Sequence, residues 1–344
     1  MSARKLKNFP YEIKDVDRET SEELMKNFTG EYTGFLQVGP KGYFFPKRYE
    51  EEAANIYNFQ LRPDDTFVIT YPRSGTTWTQ ELVWLVANDL DYAKAKENVL
   101  IERFPYLEFS TIVSHESIKR HVKEYKHDKQ MVEESKEMCK PHYADFTKLP
   151  SPRFFKSHMP ISLLPPSLLD TCKVVFVARD PRDVAVSFYH LCRLFKLIGY
   201  SGDLKTFWNY FIKGLVHFTP YFEVIKEAWA NRNHPNMLFL FYEELSKDLP
   251  ATIRRVCQFL GKQYSEDQIA KLCEHLHIDN FKINASVNED VFKAVKFADE
   301  KEEPFIRRGK VGGWRDYFDE EMTAQAERWI ADNLRDTDLR YPTM

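Results

Sequence analysis

At 344 residues with a net charge of −3, the chain has length for a large core but no basic field suited to wrapping nucleic acid. Its five cysteines are scattered, odd in number and free of any C-x-x-C pair, which fits reduced thiols rather than a disulfide framework or a zinc site. No stretch approaches the ~18 apolar residues of a membrane span, and the opening MSARKLKNFPYEIKD lacks the apolar run of a signal peptide, so the expectation is a soluble cytoplasmic protein with no membrane span.

Residues 1–65 are polar and aromatic, with turn signals at Gly39-Pro40-Lys41-Gly42 and Arg62-Pro63-Asp64-Asp65. They read as a lead-in segment folded over the body, or as a partly ordered arm. Thr66 to Trp84 organises everything after them. Phe67 to Tyr71 is apolar and β-branched, as a buried parallel strand should be. Pro72 stops the ladder, and Arg73-Ser74-Gly75-Thr76-Thr77 makes a tight turn. A helix starts near Trp78. Strand, turn and helix together form an anion site: free N–H groups and the helix dipole face the ligand, and Arg73, Thr76 and Thr77 add donors. The glycine and lysine spacing of a Walker A loop is absent, so an ordinary βα connection is the plainer alternative.

From Glu102 to Pro150 the chain is charged and weakly periodic, densest at 114–140. This insert reads as a solvated helix or disordered segment, or as a lid over a pocket. Arg153 to Pro160 predicts a second strand in which Lys156 and His158, two apart, share a face. A structural histidine is the plainer reading of His158 alone. Lys173–Ala178 is a third strand, ending in Arg179-Asp180-Pro181-Arg182-Asp183 at the start of a helix. Pro181 suits a first turn, and Asp180 or Asp183 suits its positive end. Arg179 and Arg182 then lie near the same sheet edge as Arg73 and His158, where ligands of open α/β sheets bind. Ser187, inside the helix, either bonds back to the previous turn or faces the site.

Residues 204–234 are amphipathic and aromatic. Asn236–Tyr242 predicts a fourth buried strand, Pro250–Leu260 and Ser265–Leu276 two helices, the second opened by a Ser265/Gln268 capping box, and Asp319–Leu334 a last helix. Between them, Arg307-Arg308-Gly309-Lys310-Val311-Gly312-Gly313-Trp314-Arg315 carries four cations beside glycines. It reads as a phosphate-neutralising loop or a basic surface loop. The fold expected is α/β: a central parallel sheet flanked by helices, in one domain over 1–344.

YPRSGTTW (71–78), KSHMP (156–160), ARDPRDVAVSFYH (178–190), FYEEL (241–245) and RRGKVGGWR (307–315) occur in the order of the cytosolic sulfotransferase family, which the chain resembles over nearly its whole length. The C-terminal run from Trp314 resembles the insect branch that includes retinol dehydratase. The resemblance implies that Arg73, Ser74, Gly75, Thr76, Thr77 and Trp78 bind the phosphosulfate end of 3′-phosphoadenosine 5′-phosphosulfate (PAPS; product PAP), Trp78 near the adenine. It implies Arg179, Ser187, Arg307, Arg308 and Gly309 for the 3′-phosphate, Tyr242 for the adenine side, His158 as catalytic base and Lys156 as support for the transferring group. No metal is expected. Where the family usually carries lysine this chain has Arg73, which cannot readily give up a proton. The family's small polar adenine contact is replaced by Leu276-His277, the 114–140 insert is longer than typical, and the usual dimer motif is not legible in Arg315–Thr323, which leaves a homodimer open.

The residues agree with this chemistry: an oxyanion clamp for the donor and a neutral histidine to accept the acceptor's proton. Phe104, Tyr106, Phe109, Phe155, Phe188, Tyr189 and Phe195 flank the site and suit a small apolar alcohol (phenol, sterol or retinoid) better than a sugar. On a polyene alcohol, sulfation followed by elimination is an alternative outcome. The rivals from other classes are a nucleotide or small-molecule kinase, with Asp180 as metal ligand, and a non-catalytic ligand-binding protein.

Overall fold

The computed structural model describes residues 4–287 and 290–342; the first three residues of the lead-in segment lie outside them. Strands β1 (Arg4–Lys5), β2 (Glu12–Asp15), β3 (Phe35–Val38) and β4 (Tyr43–Pro46) form an antiparallel sheet in sequential order. Strands β5 (Thr66–Thr70), β6 (Phe154–Ser157), β7 (Lys173–Ala178) and β8 (Met237–Phe241) form a parallel sheet in the order β6-β5-β7-β8. Phe67 of β5 lies beside Phe155 of β6, Ile69 beside Phe176 of β7, and Val177 of β7 beside Leu240 of β8.

All of β5 is buried, because this sheet is covered on both faces. Phe67, Ile69, Val174 and Phe176 point into one core, which contains the aromatic side chains of helices Leu204–Ile212 and Tyr221–Ala230. Val68, Val175 and Val177 point into the other, shared with helices Thr76–Ala87, Leu249–Leu260 and Glu266–Leu276. The expected helix starts hold: Ser265 and Gln268 form their capping box, and Asp319 caps Glu320–Leu334.

The lead-in segment is where the fold exceeds the expectation. Its sheet sends Ile13, Phe35, Leu36, Phe44 and Phe45 into the first core. Strand β4 also ties down a distant loop, since Phe44 N–H donates to the Thr219 carbonyl at 2.8 Å and Phe218 N–H to the Phe44 carbonyl at 2.9 Å. The charged insert is ordered as two helices, His115–Glu124 and Lys129–Met138, capped by Ser114 and Asp128. Buried Arg48 closes its base, donating to the carbonyls of Val113 (2.7 Å) and Cys139 (2.8 Å) at either end.

Candidate active site

The carboxyl ends of the four parallel strands deliver the site. Just beyond β5 comes the Arg73–Thr77 turn, beyond β6 His158, beyond β7 Arg179, and beyond β8 Tyr242. They meet in a cavity of about 240 Å³. Of the residues expected there, Arg73, Gly75, Thr76, Thr77, Trp78, Lys156, His158, Arg179, Ser187, Tyr242, Arg307, Arg308 and Gly309 all line it. Ser74 lies directly behind, with its side chain fully buried.

The turn is built for close approach. Gly75 caps the helix Thr76–Ala87 with φ +96°, and a Cβ there would stand 2.7 Å from the Tyr242 ring. No side chain caps that helix start, which leaves its first N–H groups to a ligand. Arg73 holds φ +69°, a left-handed conformation that is costly for a residue with a Cβ and clusters at functional turns. Its Nε donates to Ser187 Oγ at 3.0 Å and its guanidinium to the Phe305 carbonyl at 2.6 Å. Ser187 therefore faces the site instead of bonding back along its helix. Arg179 donates to the carbonyls of Arg73 and Lys310, both at 3.0 Å, and stacks 4.1 Å over the Tyr242 ring. The Trp78 and Tyr242 rings meet edge to face at 5.8 Å, and the Trp78 indole N–H donates to the Leu276 carbonyl.

At the far side of the turn, the Nδ1 of His158 sits 2.8 Å from the Thr70 carbonyl. A carbonyl only accepts, so Nδ1 carries the proton and Nε2 keeps its lone pair. Burial, then the nearby charges of Lys156 and Arg73, push the imidazole down to about 3. Lys156 Nζ lies 4.6 Å over the Tyr106 ring. Residues 105–107 run alongside β6, with Leu107 N–H donating to the Lys156 carbonyl, and so bring Glu108 under His158. The Glu108 carboxylate accepts the His158 backbone N–H, and burial raises it to about 7 against the pull of its hydrogen bonds and Lys156. The sequence reading missed Glu108, because nothing in a lone glutamate between aromatics marks it as a backbone acceptor.

Other expectations need correction. Arg182 pairs with Asp180 and stacks on Trp314, outside the cavity lining, and Arg315 lies over the same ring. Asp180, the kinase reading's metal ligand, caps its helix and is committed to Arg182. Of the flanking aromatics, Tyr106, Phe109, Phe188 and Phe195 line the cavity. Phe104 packs on Phe154, Phe155 on Phe59 and Phe67, and Tyr189 on Tyr200 and Phe207, since each points into a core from the opposite side of its element. The wall is completed by residues the sequence did not signal, among them Ile198, Phe218, Phe292 and Phe305. Of Leu276-His277, expected in place of the family's small polar adenine contact, Leu276 lines the cavity and His277 does not, while the next residue, Ile278, does.

The residues fit a doubly anionic nucleotide donor. Buried Ser74 Oγ and Arg179 Nε make no hydrogen bond among the described residues, an arrangement that is costly unless a ligand pairs with such donors, and Arg307 Nε has only an ion pair with Glu303 at 3.7 Å. Arg307, Arg308 and Lys310 stand on one loop, anchored where Asp183 accepts the N–H groups of Gly312 and Trp314. A parallel sheet presenting an uncapped helix start, two arginines and a neutral histidine to one cavity defines an α/β group-transfer enzyme with an anionic donor.

Residues 63–338 match the model of the sulfotransferase domain, and the chain belongs to that family. It is 30% identical to sulfotransferase 1E1 of Bos taurus over 86% of this chain and 92% of that one. It is 35% identical to luciferin sulfotransferase of Photinus pyralis over 83% of this chain and 75% of that one. Among solved structures it is similar to retinol dehydratase in complex with androsterone and inactive cofactor PAP, at 47% identity and TM-score 0.90, covering 98% of this chain and 100% of that one. The same protein in a complex with retinol and PAP is similar to the same degree, 47% identical with TM-score 0.90, over 97% of this chain and 100% of that one. The chain is a PAPS-dependent sulfotransferase.

Proposed function

We propose that this sulfotransferase acts on the hydroxyl of a small apolar acceptor, with His158 as the base. The observation that carries the reading is the 2.8 Å contact of His158 Nδ1 with the Thr70 carbonyl, from which Nδ1 is inferred to be the donor and Nε2 the free lone pair. PAPS supplies an activated sulfuryl group. Arg73, Ser74, Gly75, Thr76 and Thr77 hold its phosphosulfate end, Trp78 and Tyr242 flank the adenine, and Arg179, Ser187, Arg307, Arg308 and Gly309 hold the 3′-phosphate. As the acceptor oxygen bonds to sulfur and the bond from sulfur to the departing phosphate oxygen breaks, the acceptor proton passes to Nε2. In this reading Lys156 steadies the charge of the transferring group. Fixed cations suffice for a group less charged than a phosphoryl.

The apolar wall supports the acceptor class, and retinol dehydratase was solved with androsterone and with retinol. The insert helices serve as a lid in this reading: Met138 and Ile118 pack beside Phe195, Leu197 and Phe292 of the cavity wall. Likeness to a dehydratase favours a second outcome, in which the sulfate ester of a polyene alcohol is transient and eliminates. Mass analysis of products from retinol and PAPS separates the ester from the alkene. A cytoplasmic location is proposed on the five cysteines, all free thiols in the structure.

The decisive experiment is His158→Ala. A general base contributes ~10²–10⁴-fold, so turnover should fall by that factor while PAP affinity measured by calorimetry stays nearly constant. A loss of turnover under about threefold removes the base assignment.

A further inference from the structure

Beyond the reacting end, the cavity wall holds a second imidazole that the transfer chemistry does not use. His217 lines the cavity and is 4% exposed. Phe28 stacks on its ring at 6.0 Å and Phe35 lies at 6.3 Å. Its backbone is fixed, since its carbonyl accepts the Tyr71 hydroxyl at 3.0 Å and the next residue is bonded to Phe44. Its Nε2 is buried and makes no hydrogen bond among the described residues. Burial alone lowers the imidazole to about 4, so at neutral pH it is uncharged, with one N–H donor and one lone pair. A core position surrounded by phenyl rings would be better filled by another apolar residue, because an unpaired buried polar group destabilises. Phe188, Ile198 and Phe218, which line the same cavity, carry no hydrogen-bonding side chain.

We infer that His217 recognises a second oxygen on the acceptor. The preferred substrate is then an apolar alcohol that also carries a carbonyl or hydroxyl oxygen away from the hydroxyl that reacts. The spacing is set by Phe218, whose ring stands 5.7 Å from His158 while His217 is the adjoining residue on the same wall. The inference rests on the transferase reading of the cavity given above.

The test uses matched acceptors, one skeleton with and without the second oxygen. Androsterone is paired with the same steroid lacking its ketone, and an acetyl-naphthol with the corresponding ethyl-naphthol. With PAPS and the full chain, the oxygenated member of at least one pair should be favoured in kcat/KM by roughly three- to tenfold, the worth of one net hydrogen bond. In His217→Phe that ratio should collapse toward one. The wild-type ratio needs no variant, so a poorly folding substitution does not remove the test. Equal use of both members by the wild type, or a ratio that survives the substitution, overturns the role of His217 and leaves sulfuryl transfer standing. Transfer to none of the four acceptors overturns the acceptor-site reading itself, and His217 with it.

Discussion

Arg179 shows why charge at this site is worth more than a surface count suggests. It is 9% exposed, its Nε makes no hydrogen bond among the described residues, and its other nitrogens hold the Arg73 and Lys310 carbonyls beside an ion pair with Asp183 at 3.8 Å. One guanidinium thus links the Arg73–Thr77 turn to the basic loop that carries Lys310. Hydrogen bonds to charged groups contribute ~1.5–3 kcal/mol. Arg179→Ala should weaken PAP by about that amount in calorimetry, and weaken a nucleotide lacking the 3′-phosphate much less. Equal losses for the two nucleotides would refute the assignment to the 3′-phosphate. His158 makes a pH prediction. Its folded value is near 3, against an ordinary 6.5, so between these limits the unfolded chain binds a proton that the folded chain refuses. Stability is therefore lost as pH falls through that window, and the ligand-free resonance of His158 should not titrate between about pH 7.5 and 5. A midpoint near 6.5 by NMR would contradict the buried, carbonyl-bound tautomer. These residues were legible in the sequence because each directly follows a strand. Glu108 and His217 were not, because their roles depend on which backbone or cavity the fold brings beside them.

At the scale of elements, the sequence announced those whose pattern is local. Strand β7 was expected over Lys173–Ala178 and is found there, since its five buried residues after half-buried Lys173 have no competing helical period. Strand β6 closes at Ser157, so His158 lies just past the ladder it was expected to end. The N-terminal sheet was not legible: β4 is buried at every position and contains Pro46, which hides any alternation. The insert was ambiguous because half the residues of its helices are charged, and a contact at their base comes from Arg48, far away in sequence. Arg48→Met should strip donors from two carbonyls and open the insert at its base. Its many lysines then make a direct readout, and tryptic cleavage within 115–138 should speed up by roughly tenfold or more, as expected for a lost charged hydrogen bond. The acceptor KM should rise with little change in PAP affinity. Cleavage at the wild-type rate would show that the base of the insert is held by other contacts.

At the scale of the whole molecule, the N-terminal sheet and the parallel sheet share one core. The first core contains side chains from β2, β3 and β4 together with β5 and β7. The same β4 backbone holds Phe218, whose φ of +68° is unfavourable for a phenylalanine and needs such a restraint. Deleting residues 1–46 would therefore remove core as well as the backbone restraint on Phe218, a residue of the cavity lining. The truncated chain is expected to lose cooperative unfolding, which circular dichroism on heating would show. The intact chain should respond to its product nucleotide as a unit. A ligand that binds only the folded state at 100 times its Kd adds ~2.7 kcal/mol, and a kilocalorie shifts the melting temperature of a large domain by about 2–4 °C. PAP should thus raise the midpoint by several degrees in the intact chain, and by distinctly less in Arg179→Ala at the same concentration. A truncated chain that melts cooperatively and is still stabilised by PAP would mean that the N-terminal sheet is an accessory to the fold, and that the donor half stands without it.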